Sequence, residues 1–104
     1  NMFNGRKIVC LCGSTKFKEA FERANKEETA KGKIVLTVAM FGHLEGLDMS
    51  SDIKKTFDEV HFDKILLADE IFILNVGGYI GESTKNEIEY AIQNKKQIKY
   101  LEKL

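Results

Sequence analysis

The stretch E-I-F-I-L (70–74), followed by N-V-G-G-Y-I-G-E (75–82), decides the fold of this 104-residue chain. Its first five residues form a short apolar run with β-branched side chains, which is typical of a buried strand. The Gly-rich segment cannot continue a strand and predicts a turn. Thr84 and Glu87 then have the S/T-x-x-E spacing of a capping box, which predicts that a helix begins there. The inner face of that helix is predicted at Ile88, Ala91 and Ile92.

The same alternation of apolar run and amphipathic stretch precedes this segment. Lys7 to Leu11 (K-I-V-C-L) predicts a first buried strand. A helix over about residues 15 to 31 follows, with Ser14 or Thr15 as its cap and Gly32 where a left-handed residue ends a helix. Its apolar face is predicted at Phe17, Ala20, Phe21 and Ala24.

Two further strands and one helix complete the pattern. Ile34 to Val38 predicts a second buried strand, and the irregular stretch from Ala39 to Met49 is a candidate wall of a substrate site. The segment S-S-D (50–52) predicts a helix start, and this helix is expected to run to about residue 68. Its apolar side is predicted at Ile53, Phe57, Val60 and Leu67. Gln97 to Leu101 predicts the fourth strand.

The predicted order of elements is therefore βαβαβαβ. Strands that are continuous apolar runs separated by helices indicate a mostly parallel sheet covered on both faces. We expect an α/β three-layer sandwich of the flavodoxin or Rossmann-like type with four strands, in a single domain over residues 1–104. No proline, linker-like tract or repeat marks an internal boundary. In such sheets ligands bind at the carboxyl ends of the strands, where we expect any site.

Charge and hydropathy limit the classes of partner. Lys plus Arg and Asp plus Glu are both 16, which does not predict the basic surface of a protein that binds long nucleic acids. Apolar runs such as Ile8 to Cys12 are far shorter than the roughly 20 residues of a membrane-spanning helix, so no membrane partner is expected. Asn1 to Lys7 is polar and does not resemble a signal peptide. Asn1, ahead of Met2, is expected to be foreign to the natural chain.

Two cysteines indicate the redox environment. Cys10 and Cys12 are two residues apart in an apolar run, which places them on the same face of a strand. This spacing is that of neither a redox C-x-x-C pair nor a zinc site. It predicts buried, reduced thiols, and with them a cytoplasmic protein.

The turn Gly13-Ser14-Thr15-Lys16 joins the first strand to the first helix. Free N–H groups at a helix start attract phosphate or hydroxyl oxygens, which makes this turn a candidate binding loop. The turn lacks the spacing of a P-loop and the G-x-G-x-x-G of a dinucleotide fold. The alternative is an ordinary tight turn with a Ser or Thr cap.

Residues 68–91 carry a resemblance to a known family. They combine an A-D-x-[VI] strand start, a Gly-containing loop and a helix start close to G-T-x-x-E-[IL]-G-Y-A. This combination resembles the nucleoside 2-deoxyribosyltransferases and the related deoxynucleoside-monophosphate N-glycosidases. The matching positions are Ala68, Asp69, Ile71, Thr84, Glu87, Ile88, Tyr90 and Ala91. The segments C-L-C-G-S-T-K-F (10–17) and K-I-V-L (33–36) also resemble the compact bacterial and phage members of that family.

The resemblance implies chemistry at a glycosidic bond. In the family, the Glu at the start of this helix is the nucleophile that attacks the anomeric carbon of the sugar while the base leaves, and Glu87 holds that position. A carboxylate can form a covalent glycosyl intermediate that water or a second base resolves. A helix N-terminus also favours the ionised form that attack requires. The alternative is that Glu87 only completes the capping box, with its side chain folded back on its own helix end.

Two positions depart from the family pattern. The transferases have an Asp six residues before the nucleophile, where this chain has Gly81, with Glu82 next to it as a substitute. They also have an Asp eight residues before the A-D Asp, and His61 holds that position here. A His could protonate the departing base, since its unperturbed pKa of about 6.5 suits proton transfer at neutral pH. Equally, His61 could pack in the core between Phe57 and Ile65.

The remaining expectations concern ligands and partners. Substrate-binding residues are predicted at Gly13, Ser14, Thr15, Asn75, Gly81, Glu82, Ser83 and Thr84. Asp69 is expected to fix the chain between helix and strand. With only two His no metal site is expected, and no cofactor is implied.

The family resemblance also implies partners. It implies a small-molecule nucleoside or nucleotide as ligand. It also implies a homo-oligomer, a homodimer or a larger assembly, because the family builds its sites at subunit contacts. The two departures favour an alternative function, a non-catalytic nucleotide-binding or regulatory module on the same fold.

Overall fold

Four parallel strands form the sheet on which the rest of the molecule is built. The computed structural model describes residues 2–38 and 50–104, so the candidate substrate wall at 39–49 lies outside the described residues. The strands are β1 (Ile8–Cys12), β2 (Ile34–Thr37), β3 (Glu70–Ile73) and β4 (Gln97–Tyr100). Their order across the sheet is β2-β1-β3-β4. The register places Cys10 between Leu36 and Ile71.

Three α-helices connect the strands: α1 (Lys18–Ala30), α2 (Ser51–Leu67) and α3 (Glu82–Gln93). From β1 the chain moves outward to β2 and then back across the sheet to β3 and β4. Right-handed connections therefore place α1 on one face and the other two helices on the opposite face. This is the α/β three-layer sandwich of the flavodoxin-like type that the alternation of elements predicted. Over the described ranges, no helix combines the length and the apolar character that a membrane crossing requires.

Two apolar layers hold the sheet to its helices, because successive side chains of a strand point to opposite faces. The layer under α2 and α3 contains Cys10, Cys12, Val38, Ile65, Ala68, Ile71, Ile73 and Ala91. The layer under α1 contains Val9, Leu11, Phe21, Ala24, Phe72 and Leu74. Cys10 and Cys12 are free thiols that are fully buried in the same layer, which confirms their predicted place on one strand face.

The ends of α1 follow the predicted signals. The Ser14 hydroxyl oxygen accepts a hydrogen bond from the Lys16 N–H at 3.3 Å and caps a short 3-10 turn, Thr15–Phe17, which leads into the helix. The α-helix itself therefore begins at Lys18. Gly32 follows the last turn with a φ of +86°, which confirms the predicted left-handed residue.

The orientation of α2 differs in part from the prediction. Ser50 caps the helix, since its hydroxyl oxygen accepts the Ile53 N–H at 3.5 Å. Val60 and Leu67, predicted on the apolar side, are 43% and 66% exposed. The sheet is instead covered by the side that carries Ile65, because this residue is buried in the same apolar layer as Ile71 and Ile73 of β3.

The corner between α2 and β3 is fixed by Asp69, as the sequence predicted. Its carboxylate accepts the Ile8 N–H at 2.7 Å, and its own N–H donates to the Ile8 carbonyl at 2.8 Å. The two bonds join the end of α2 to the start of β1, and thereby set the position of β3 in the sheet.

The start of α3 corrects the capping-box prediction. The helix begins at Glu82 with Gly81 as its N-cap, and no side chain of the described residues caps it. Thr84 therefore lies inside the first turn and Glu87 in the second, so the spacing between them is not that of a cap. The Gly-rich loop ends at Gly81, whose carbonyl accepts the Lys85 N–H at 2.9 Å, and this places the N-cap three residues earlier than the predicted Thr84. Ala91 is buried as predicted, whereas Ile92 is 59% exposed.

Candidate functional site

A cavity of about 380 Å³ lies at the carboxyl edge of the sheet. Its walls come from the loop after β1, the inward side of α2, the loop after β3 and the first two turns of α3. The lining residues are Gly13, Ser14, Thr15, Val38, Asp58, His61, Tyr79, Gly81, Glu82, Ser83, Thr84 and Glu87. The structure thus brings together all of the predicted site residues except Asn75.

The N-terminus of α3 forms one wall of this cavity. Because no side chain from residues 2–38 or 50–104 caps the helix, the N–H groups of its first turn have no partner there and can bind ligand oxygens. Thr84 in the same turn is buried and borders the cavity with its neighbour Ser83. This wall combines backbone N–H groups and hydroxyls, which suits sugar or phosphate oxygens.

Glu87 is the buried acidic group of the cavity. Its residue is 8% exposed, and among the described residues no hydrogen bond to its carboxylate is formed. Burial raises its pKa to about 7, and the nearby charge of Asp58 contributes in the same direction. The side chain is therefore not folded back as a cap, and it titrates near neutral pH at the cavity wall.

Asp58 is a cavity residue that the sequence analysis missed. It lies on α2 one turn before His61 and two turns before the buried Ile65, so these residues share one side of the helix. The i, i+3 and i+7 spacing of Asp58, His61 and Ile65 was the signal in the sequence, and Asp58 itself stays exposed. With Glu87 and the exposed Glu82, Asp58 gives the cavity three carboxyl groups.

His61 faces the cavity and is half-buried there. Burial lowers its pKa below the ordinary value, and the positive charge of Lys64 adds to this effect, while Asp58 opposes it. The imidazole is consequently uncharged at neutral pH and can accept a proton. Its position on the cavity wall favours the site over the alternative of a packed core histidine.

The loop after β1 supplies the opposite wall. The Ser14 side chain caps the 3-10 turn, and Ser14 lines the cavity together with its neighbours Gly13 and Thr15. A Cβ at Gly13 would lie 3.2 Å from the Leu74 carbonyl oxygen, a tight contact, and its φ of +155° is one that residues with a side chain rarely adopt. The loop after β1 thus lies close to the end of β3, where the Leu74 N–H also donates to the Cys12 carbonyl at 2.8 Å.

Tyr79 closes one side of the cavity. Its ring lies 3.5 Å from the Lys16 ammonium and meets the Phe17 ring edge-on at 6.0 Å. The Tyr79 hydroxyl lies over Gly81, where a Cβ would be 3.2 Å from it. Cation–π and aromatic contacts of this kind hold the ring between the two loops.

Asn75 corrects the predicted set of binding residues. It is fully buried and does not line the cavity. Its side-chain amide donates to the Glu102 carbonyl at 2.9 Å and accepts the Glu102 N–H at 3.0 Å. The amide is therefore occupied by the segment that follows β4, which no local pattern in the sequence indicated.

A larger cavity of about 760 Å³ lies along α1 on the other face of the sheet. The charged side chains that line it, such as Lys18 and Glu19, are exposed. We favour the smaller cavity as the site because it combines a buried carboxyl group that titrates near pH 7 with an uncapped helix start. Within residues 2–38 and 50–104, no three His, Cys, Asp or Glu side chains are arranged to hold a metal ion.

A scan against protein-family models and a search of curated proteins gave no match to this chain. The resemblance of residues 68–91 to the deoxyribosyltransferases thus stays a prediction from short motifs. The geometry of the cavity is an argument that does not depend on it.

Proposed function

We propose that this protein cleaves or transfers at the N-glycosidic bond of a deoxynucleoside or its monophosphate, with Glu87 as the nucleophile. The observation that carries the proposal is the position of Glu87, which is buried, uninvolved in capping and on the wall of a cavity of about 380 Å³. That volume falls within the range of about 300–1,000 Å³ found for small-molecule sites. The motifs at 68–91 supply the reaction class.

The cavity contains the groups that the first step needs. A carboxylate oxygen of Glu87 forms a bond to the anomeric carbon, and the bond to the base breaks with its electron pair on the base nitrogen. The N–H groups at the start of α3 and the hydroxyls of Ser83 and Thr84 hold sugar or phosphate oxygens. The turn at 13–15 borders the opposite side of the same substrate.

His61 supports the proton transfers from the α2 wall. Because burial keeps its pKa low, the resting imidazole is neutral and suits the second step better than the first. There it accepts the proton of the water or acceptor base that displaces the sugar from Glu87. The imidazolium formed in this way is the acid that protonates a departing base when the reaction runs in the reverse direction.

We also propose that the protein works in the cytoplasm as a homo-oligomer, a dimer or larger. The family resemblance supports this, since the family builds its sites at subunit contacts. The exposed apolar side chains on the outer sides of α2 and α3, Val60, Leu67 and Ile92, are available for such a contact. Sedimentation velocity at micromolar concentration tests it, and a monomer at all concentrations would contradict it.

The proposal is tested by assaying a panel of deoxynucleosides and their monophosphates for free base, with and without an acceptor base. Glu87→Gln keeps the shape of the side chain and removes the nucleophile, so we expect base release to fall by about 10³-fold or more. Glu89→Gln, on the exposed side of the same helix, is the matched control and should leave activity unchanged. Ligand-induced thermal stabilisation without base release would instead support the non-catalytic binding module.

The pH profile of the same assay separates two roles for Glu87. A nucleophile must be ionised, so kcat/KM should rise with pH through about 7, the pKa of Glu87, and then level off. A kcat/KM that falls through the same range would make Glu87 the proton donor, and Asp58, another carboxyl group of the cavity, the candidate nucleophile.

A further inference from the structure

The loop between β3 and α3 is held by the segment that follows β4. Asn75, the first loop residue after the buried Leu74, is 1% exposed. Its side-chain amide pairs with both backbone groups of Glu102, at 2.9 and 3.0 Å. A side chain that mimics a backbone strand partner in this way ties the start of the loop to residues 101–104.

A third bond runs from the same segment to the middle of the loop. The Glu102 carboxylate accepts the Gly77 N–H at 2.7 Å. Gly77 and Gly78 both have positive φ, +64° and +83°, and a Cβ at either would meet no atom within 4 Å among the described residues. Open space surrounds Gly77 and Gly78, and hydrogen bonds hold the turn there: the bond to Glu102, the Gly78 N–H to the Asn75 carbonyl at 2.8 Å and the Tyr79 N–H to the Val76 carbonyl at 3.1 Å. A bond to a charged acceptor is about twice as strong as one between neutral groups.

The far end of the loop enters the cavity directly. Tyr79 and Gly81 line it, and Gly81 is the N-cap of α3, whose first turn supplies the uncapped N–H groups. Lys16 and Phe17 hold the Tyr79 ring at this end. The loop is thus restrained at its start and middle by residues 75 and 102, and at its end by the loop after β1.

We infer that Asn75 and Glu102 are positioning residues, which hold the loop 76–81 in the conformation that borders the cavity. The segment after β4 is thereby an accessory part of the site, although none of the cavity's polar wall comes from it. The expected effect on base release rests on the proposed function, whereas the expected effect on the conformation of the loop does not.

The test variant is Glu102→Ala, because Glu102 is exposed and its loss should not unfold the chain. Glu102→Gln keeps an oxygen that accepts the Gly77 N–H and is the conservative rescue. Lys103→Ala, in the same exposed segment, is the matched control. Asn75→Ala removes the buried amide that pairs with the Glu102 backbone. It is a second variant, and its results are used only if the protein stays folded.

The first readout is ligand-free and uses amide hydrogen exchange and amide chemical shifts. Glu102→Ala should speed exchange at Gly77 and Gly78 by about tenfold and shift the amide signals of Gly81 to Thr84. Glu102→Gln should stay within about threefold of the wild type. Unchanged exchange, or shifts confined to residues 75–78, would overturn the inference whether or not the protein is an enzyme.

The second readout is base release by the folded variants. Displacement of the loop 76–81 in Glu102→Ala should lower kcat/KM by about 10- to 100-fold, mainly through a higher KM. Glu102→Gln should keep kcat/KM close to that of the wild type. Glu87 is less affected because Ile88 and Ala91 anchor its helix in the core. A kcat/KM that falls equally in Glu102→Ala and Lys103→Ala would contradict the inference. A wild type without base release would refute the proposed function, while the exchange data would still decide the inference.

Discussion

Glu87 combines two properties that oppose each other, burial and charge. Its pKa of about 7 lies well above the ordinary value of 4.5, so the folded protein favours the neutral carboxyl group. The free energy of unfolding therefore falls as pH rises from 4.5 to 7, by roughly 3 kcal/mol for a shift of this size. A side chain that costs stability while lining a cavity is typical of a functional site.

The first prediction is a pH-dependent gain in stability for Glu87→Gln. Below about pH 4.5 Glu87 is neutral in both the folded and the unfolded chain, so the variant and the wild type should unfold alike. As pH rises from 4.5 to 7 only the unfolded chain ionises freely, and the wild type loses stability that the variant keeps. Urea unfolding should show the variant more stable by roughly 3 kcal/mol at pH 8.

Glu89→Gln is the control for this measurement, since Glu89 is exposed on the same helix. Its difference from the wild type should stay small and should not grow between pH 4.5 and 7. A Glu87→Gln variant that is less stable than the wild type at pH 8 would show that the carboxylate has a stabilising partner in the folded protein.

The elements of this protein are joined by short turns whose geometry depends on single residues. The end of α1 is the clearest case: Gly32 has a φ of +86°, and its carbonyl accepts a hydrogen bond from the Arg6 guanidinium at 2.9 Å. The next residues pair with β1, through the Ile34 N–H and the Lys7 carbonyl at 2.9 Å. A change in this turn therefore acts on the register between β1 and β2.

The second prediction is that Gly32→Ala destabilises the protein by about 1–2 kcal/mol, because a residue with a Cβ rarely adopts a left-handed conformation. The new Cβ would also lie 2.7 Å from the Arg6 guanidinium, which is the flexible end of a side chain. Gly32→Asn should cost less, since Asn tolerates this region better. Thermal unfolding measures both.

Arg6→Ala in the Gly32→Ala background separates conformation from contact. We expect the loss from Gly32→Ala to persist in this background, since moving the Arg6 side chain relieves the contact but not the backbone strain. Recovery of stability in the double variant would instead identify the contact as the cause.

At the scale of the whole molecule, a network of charges connects α1 to β3, to β4 and to Lys33, the residue before β2. Glu28, 1% exposed at the end of α1, accepts hydrogen bonds from Lys31, Lys33 and Lys99 at 3.0, 2.9 and 3.1 Å. Lys33 also contacts Glu70 at 2.7 Å. Burial acts to raise the pKa of Glu28, but the three lysines outweigh it and hold the pKa at about 2. The network therefore links the end of α1 to Lys99 of β4 and, through Lys33, to Glu70 of β3.

The third prediction is acid sensitivity that depends on Glu28. Its folded pKa of about 2 lies below the ordinary 4.5, so its stabilising contribution is complete above pH 4.5 and is lost as pH falls toward 2. Glu28→Gln should therefore lower the free energy of unfolding at pH 7, by roughly 3 kcal/mol, and lower it progressively less in acid. Urea unfolding between pH 2 and 7 measures this.

Glu27→Gln is the matched control, because Glu27 is the exposed neighbour on the same helix. It should change the free energy of unfolding by less than about 0.5 kcal/mol at every pH. A Glu28→Gln variant with wild-type stability at pH 7 would show that desolvation of the network cancels the attraction between its charges.

The sequence alone determined the order of strands and helices, the parallel sheet, the buried thiols, the corner at Asp69 and the left-handed Gly32. These features depend on residue periodicity and turn chemistry, which act over a few neighbouring residues. It also indicated most of the residues that meet at the cavity, because the carboxyl ends of parallel strands share one edge. Only the tertiary structure decided which side of α2 faces inward, and so that Asp58 joins Glu87. It alone decided that α3 begins at Glu82, with Gly81 as its N-cap, and that Asn75 binds the segment after β4. These outcomes depend on packing between residues far apart in the chain, which a local pattern does not encode.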